Sequence, residues 1–437
     1  MLSFAFDYRA EEGSSGSPIF QFLFLGVAAG STGLMLLIGY HYLIVRPGAW
    51  VLALWGGFLA FMVLNSHFQG VPPGRYLRTG LPFLLIFCAM VNGQIAACSG
   101  IRLAHLAAPI YTAAIINIIW RVIYGLAFTS ATLDTVRIQI LSPALGWAAA
   151  FIACSIMLRT RFHWTMLLAA AGFFTTLLLS ITRSLLFPIA ISGFSATIFF
   201  FLGVYWGAFQ LKDLFKRLLP LTIGGGGAII LMICLFIAFP SSLDRWNERL
   251  FTPTNDRNIE TDPSLLTRQA EAKAIFDILD EEPVYYINGK GVGASFYWDD
   301  DYFPELYSVY EEDLLEEISS DVWYAGHNIW TYSMFSGGFI GLSAFIALFV
   351  SVITLSLASA VANAKNAGPD FWLLFLPSIS TFCILSQSMT SNPFDERLLG
   401  MIYGATFSFA QAGFLRASWA THQNKKIGAV APTSPIL

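Results

Sequence analysis

Residues 326–330 read Gly-His-Asn-Ile-Trp, and the histidine–asparagine pair stands where an acidic, hydrophilic stretch gives way to an apolar run. A hydroxyl is a poor nucleophile, and an imidazole placed beside it can take its proton during attack. His327 lies just before the run that begins near Trp330, at the N-terminal end of an expected helix. The positive dipole end there disfavours imidazolium and favours the neutral ring. The same end attracts anionic phosphate. Asn328 can hydrogen-bond the neighbouring backbone or orient a substrate. Arg183 and Arg268, with Arg137 as a third, supply a second chemistry. A guanidinium offers five fixed donors and keeps its charge, which suits a pyrophosphate leaving group. Each residue also has an ordinary reading. A histidine beside Trp330 and Tyr332 can anchor a helix at a membrane interface. Arginines at span ends can snorkel to headgroups, and Arg268 can be a solvated or salt-bridged residue of a soluble helix.

The elements that must hold these residues are membrane helices. The chain has 437 residues, of which 56% are hydrophobic and only 12% charged, with 39 Phe and 12 Trp. Its mean hydropathy is +0.63, and a soluble domain could not solvate such a surface. A span needs about 20 predominantly apolar residues. Such runs are read at about 19–45, 49–65, 80–98, 106–127, 140–158, 164–181, 185–208, 219–239, 330–355, 371–390 and 398–415. The expected fold is therefore all-α: a polytopic helical membrane protein with about 11 (10–12) transmembrane helices. Its environment is a lipid bilayer. Residues 1–240 would form an N-terminal helix bundle, 241–328 one large, partly helical loop domain, and 329–437 the last helices with a short tail.

Charge separates the loop from the rest. Between Ser241 and Asn328 there are 20 acidic and 6 basic residues, against 8 acidic and 18 basic elsewhere. The bases cluster in short loops, as in Lys212, Lys216 and Arg217, or Arg159 and Arg161. Placing these in the cytoplasm puts 241–328 outside, along with Arg137, Arg183 and, less comfortably, Arg75 and Arg78. The five cysteines fall in or beside apolar spans, so no disulfide is expected in the outer segment. Arg121 lies inside a span and requires a partner, for which Asn117 at i−4 is the local choice; a structural and a channel-lining role both remain open. Gly224–Gly227 read as close packing or a bend.

Within the outer segment, Asp262 and Pro263 open a helix. Leu265, Ala272, Ile275, Phe276 and Leu279 form its apolar stripe, with Arg268 beside it. After Pro283 come Gly289, Gly291 and Gly293 in alternation. They do not sit between a buried strand and a helix as a nucleotide-binding loop requires. Asp299, Asp300 and Asp301 are read as a solvated turn, because a metal cage needs more converging ligands. No metal, no other cofactor and no nucleic acid partner is expected.

Four segments in order carry a family resemblance. They are "VRIQILSPALG", "LLLSITRSLL", "TRQAEAKAIFDILDEEPVYYINGKGVGASF" and "GHNIWTYSMFSGGFIGL". Together the chain resembles the O-antigen ligase and O-antigen polymerase superfamily of polytopic membrane glycosyltransferases over about residues 137–342. The His-Asn pair before a Gly-x-x-Gly helix is the most specific element. Ser142-Pro143 stands where the family has Asn-Pro-Asn, Ser184 replaces a Gly, and the tryptophan usual after the Arg is absent. The resemblance implies a multi-pass protein of the bacterial inner membrane with its large loop in the periplasm. It would move a glycan from an undecaprenyl-pyrophosphate carrier to a second lipid-linked glycan (polymerase) or a lipid A core sugar (ligase). His327, Arg268 and Arg183 would be catalytic, and Arg137 and Asn328 substrate-binding. A transporter or flippase of lipid-linked glycans is the competing class, and a sensor or scaffold with an acidic outer domain the third.

Overall fold

The computed structural model describes residues 1–7, 18–127, 139–158, 165–180, 185–217, 263–297, 322–389, 391–394 and 396–430, with isolated positions between 226 and 237. Among them every regular element is helical, and one antiparallel bridge joins Phe296 to Trp323. The helices are α1 (Pro18–Gly39), α2 (Gly48–Phe68), α3 (Pro73–Cys98), α4 (Leu103–Ala127), α5 (Leu145–Leu158), α6 (Thr165–Ser180) and α7 (Leu186–Tyr205). The acidic segment supplies α8 (Pro263–Asp280) and the short α9 (Val284–Asn288). Then come α10 (Ile329–Asn363), α11 (Leu376–Ser388) and α12 (Arg397–Val430).

Seven helical spans are long and apolar enough to cross a membrane: Phe22–Ile44, α2, α3, α4, α7, Ile329–Asn366 and Arg397–Ser418. The apolar runs at 140–158, 164–181 and 371–390 are also helical, but their helices have only 14, 16 and 13 residues. A turn precedes the first of these helices and a 3-10 segment the last, and as described each is below the roughly 20 residues a straight crossing needs. The residues on either side of Thr165–Ser180 lie outside the described ones. Most of the run at 219–239 lies outside the described residues.

The centre of the bundle is α12, whose most apolar stretch is 94% buried. Small residues explain how it gets there. Gly400, Gly404 and Ser408 recur every fourth position and face α3, where Gly93 meets the Cβ of Ser408. A side chain at Gly404 would run into the carbonyl of Ile86, so the two backbones approach closely, as small-residue stripes allow in lipid. Phe345 of α10 then ties the helices together. Its ring lies 5.3 Å from Trp55, 5.3 Å from Phe58 and 5.4 Å from Phe83. This aromatic knot fixes α10 at Phe345 against α2 and α3.

Candidate active site

The site is assembled where the acidic segment folds onto three helix ends. Asn328 caps α10, its Oδ1 accepting from the backbone of Trp330 at 2.8 Å. Capping holds the first turn and leaves His327 one residue outside it. Trp330 donates to Ser388 Oγ of α11 at 3.0 Å, so it is a positioned residue rather than a loose interface anchor. Tyr332 Oη donates to the carbonyl of Tyr324 at 3.2 Å and ties the approach loop to the helix.

Beyond that turn α10 bends sharply at Gly338, where φ is +58° and ψ −154°. Only glycine adopts that conformation without strain. A Cβ there would also collide with the backbone of Ile287 and Asn288. The bend receives the glycine loop. Lys290 N donates to Phe335 O at 2.7 Å, Asn65 of α2 donates to Asn288 O at 2.6 Å, and Val292 N donates to Ser66 Oγ at 2.8 Å. Gly293 lies against the backbone of Arg75 at the start of α3. The alternating glycines thus give close backbone packing against α2, α3 and α10, not a phosphate cradle. In the same segment, Tyr286 donates to Asp280 at 2.7 Å, and that hydrogen bond pushes its phenol above the usual tyrosine range.

Arg75 lies with its guanidinium 4.6 Å from the centre of the Tyr324 ring. The start of α3 therefore shares one end of the bundle with the segment that carries Tyr324.

Against His327 stands a residue that type and position did not single out. Glu271 of α8 is buried, 2% exposed, while the His327 side chain is 49% exposed. Glu271 Oε2 lies 2.7 Å from His327 Nδ1. The backbone N–H of His327 donates to Oε1 at 2.8 Å and to Oε2 at 3.0 Å. The Trp323 ring stands 5.2 Å away on another side of the imidazole. A Cβ at Gly326 would come within 2.8 Å of both Glu271 Oε1 and Tyr332 Cβ, so this glycine makes room for the carboxylate. Asn392, in the turn before α12, donates to Gly326 O at 3.3 Å.

Arg268 lies one turn before Glu271 on α8 and is partly buried. One helix thus mounts the partner of the histidine and a guanidinium side by side. The stripe expected on α8 is corrected in part. Ile275 and Leu279 are buried as expected, but Phe276 is 40% exposed, and Leu266, Ala270 and Ala274 complete the buried face. Glu271 stands on that face, four residues before Ile275 and eight before Leu279. Arg183, Arg137, Asp299, Asp300 and Asp301 lie outside the described residues. The expected pairing of Arg121 with Asn117 is also corrected. Asn117 donates to Ala5 O at 3.1 Å and accepts from Ser142 Oγ at 2.6 Å, while Arg121 faces Glu396 at 3.9 Å.

Comparison of the chain with protein-family models and with curated proteins finds no match to either.

Proposed function

We propose that the protein is a metal-independent membrane glycosyltransferase of the O-antigen ligase or polymerase type. It would move a glycan from an undecaprenyl-pyrophosphate carrier to a glycan acceptor during assembly of a surface polysaccharide. The observation that carries this reading is the buried carboxylate of Glu271 on His327 Nδ1 at 2.7 Å, with Arg268 one turn away on the same helix. In the proposed reaction the acceptor O–H gives its proton to His327 as the oxygen attacks the anomeric carbon. The bond from that carbon to the pyrophosphate oxygen breaks, and its electron pair leaves with the pyrophosphate. Arg268, joined in this proposal by Arg183, stabilises the charge that departs. Arg137 and Asn328 are proposed to help seat the substrate; the Asn328 carbonyl oxygen is used in capping α10, which leaves its amide NH₂ for that task.

The rest of the proposal is topological: about 11 spans in the bacterial inner membrane, with 241–328 in the periplasm. A transporter would be favoured by ionisable residues deep in the spans. Among the described residues Arg121 is the one buried charged residue within a span helix, while Glu271 belongs to the outer segment and Arg217 lies past the end of α7. That distribution supports the enzyme.

The test is a purified, reconstituted protein given lipid-linked glycan extracted from the producing strain. Lysine keeps the charge of arginine but loses the planar fork. Arg268→Lys is expected to lose most of the transfer activity at unchanged protein level. Full activity in that variant would remove the pyrophosphate role from Arg268. For the topology, a cysteine placed at Asn255 should react with an impermeant thiol reagent in cells whose outer membrane alone is permeabilised. Reaction only after the inner membrane is broken would place the site on the wrong side for a periplasmic transferase.

A further inference from the structure

We infer that Glu271 is the positioning residue of His327, fixing the ring nitrogen that can act as base; this rests on the transferase reading above for its chemical consequence, but not for its geometry. Glu271 is the natural place to look because a carboxylate removed from water must find donors. Its two oxygens find them in one residue, through three contacts to the backbone N–H and Nδ1 of His327. An ionised carboxylate can only accept, and with both oxygens accepting the backbone N–H we assign Nδ1 as the donor. That assignment follows from the hydrogen-bond pattern. With the proton on Nδ1, Nε2 is the lone-pair nitrogen.

The consequence is specific. An isolated neutral imidazole can carry its proton on either nitrogen, and only the form with a bare Nε2 takes a proton at that atom. A carboxylate on the opposite nitrogen also balances the positive charge that the ring gains when the proton moves, as in triads where an acid orients a histidine. Glu271 does not touch the acceptor or the donor in this scheme, so it acts through His327 alone.

Glutamine at 271 discriminates this role from packing, because it keeps the size and removes one acceptor. If its carbonyl oxygen takes the place of Oε1 and accepts the backbone N–H, its NH₂ points at Nδ1. The ring must then accept at Nδ1 and carry its proton on Nε2, the wrong form for a base. The alternative places the NH₂ against the backbone N–H, two donors face to face. The first arrangement is the one that satisfies both groups.

The experiment uses full-length protein in lipid nanodiscs with ¹⁵N-labelled histidine side chains. Ring nitrogen shifts are recorded above the titration range of histidine, and His327 is assigned by subtraction of a His327→Gln spectrum. The expected result is a protonated Nδ1 and a bare Nε2 in the wild type, reversed in Glu271→Gln. In the transfer assay, Glu271→Gln should lower kcat by about 10²-fold or more, within the usual range for losing a general base. The donor KM should be little changed. In a His327→Gln background the same substitution should have no further effect, since it acts through a ring already removed. Glu271→Asp, which keeps the charge, should retain more activity than Glu271→Gln. A wild-type His327 carrying its proton on Nε2 would overturn the inference, and so would a Glu271→Gln effect that multiplies with His327→Gln. A wild type that consumes no lipid-linked glycan would overturn the transferase reading instead, and the nitrogen shifts would still decide the role of Glu271.

Discussion

Two charged side chains in this protein are equally hidden, each 2% exposed, and they are treated in opposite ways. Glu271, in the outer segment, has both oxygens engaged by His327 at 2.7–3.0 Å. Arg121, within α4, has one nitrogen facing Glu396 at 3.9 Å, and its Nε and Nη1 have no hydrogen-bond partner among the described residues. Burying a charge costs free energy in both places, but only one of the two is repaid by good geometry. Close, multiple contacts to one residue mark a pair held in register. A single distant contact marks a charge tolerated by the bundle. Burial alone therefore does not find a functional group; burial together with full satisfaction by one chemically active partner does.

The largest expected effect comes from cutting the satisfied pair. His327→Ala should abolish transfer, a loss of about 10²–10⁴ in rate for a general base. It should also destabilise the fold, because Glu271 keeps only the backbone N–H of residue 327 as a donor. Removing one partner of a buried pair costs about 3–5 kcal/mol, and the half-exposed ring of His327 places this case near the lower figure. Glu271→Ala combined with His327→Ala should recover stability without recovering activity. Thermal unfolding in nanodiscs measures the first quantity and the transfer assay the second. If His327→Ala alone unfolds at the wild-type temperature, Glu271 does not depend on His327, and the contrast with Arg121 collapses.

A smaller effect is expected where the outer segment is seated. Gly338→Ala places a side chain at a positive φ and against the backbone of Ile287 and Asn288. A strained backbone of this kind costs on the order of 1–3 kcal/mol, and here the glycine loop must also shift. The variant should show a lower unfolding temperature and faster proteolysis between 284 and 296, with the cut sites identified by mass spectrometry. Cleavage at the wild-type rate would mean that the bend does not hold the loop.

The sequence made one side of the comparison visible and hid the other. Apolar runs located the helices because a membrane span must be long and apolar. They did not show that the described helices α5 and α11 have only 14 and 13 residues, with turns and a 3-10 segment inside the same apolar runs. His327, Asn328 and Arg268 could be picked out by type and by their place beside a span. Glu271 could not, because it is one of 20 acids in a segment whose charge speaks to topology and not to any single residue. The row 271, 275 and 279 is partly in the expected stripe, which holds Ile275 and Leu279, but a search for apolar residues takes Ala272 and Phe276 and passes over Glu271. Arg121 failed for a different reason. Helical spacing proposes local partners, and Asn117 is engaged instead by Ala5, 112 positions earlier, and by Ser142. Such non-local choices are made by the fold, and no spacing rule reports them.

The smallest predicted effect tests the loosely held charge. Arg121 has little to lose electrostatically, since its contact with Glu396 is at 3.9 Å and Glu396 is 39% exposed to solvent. Methionine approximates the length of the arginine stem without its charge, and replacing a buried ion pair by apolar side chains is often neutral or stabilising. Two orphaned nitrogens strengthen that expectation here, because the substitution removes two buried donors that lack acceptors. Glu396 is left behind, but its exposure lets water take over as partner. Arg121→Met is therefore expected to change stability by no more than about 1 kcal/mol in either direction, and Arg121→Met with Glu396→Gln should behave the same way. The sign is the informative part: cutting His327 leaves the buried Glu271 carboxylate short of a donor and should destabilise the fold, whereas cutting Arg121 should leave α4 in place. Thermal unfolding of the two variants side by side in nanodiscs measures it. A loss of several kcal/mol in Arg121→Met would show that Arg121 is held as firmly as Glu271, and the distinction between a charge kept for chemistry and a charge merely accommodated would fail.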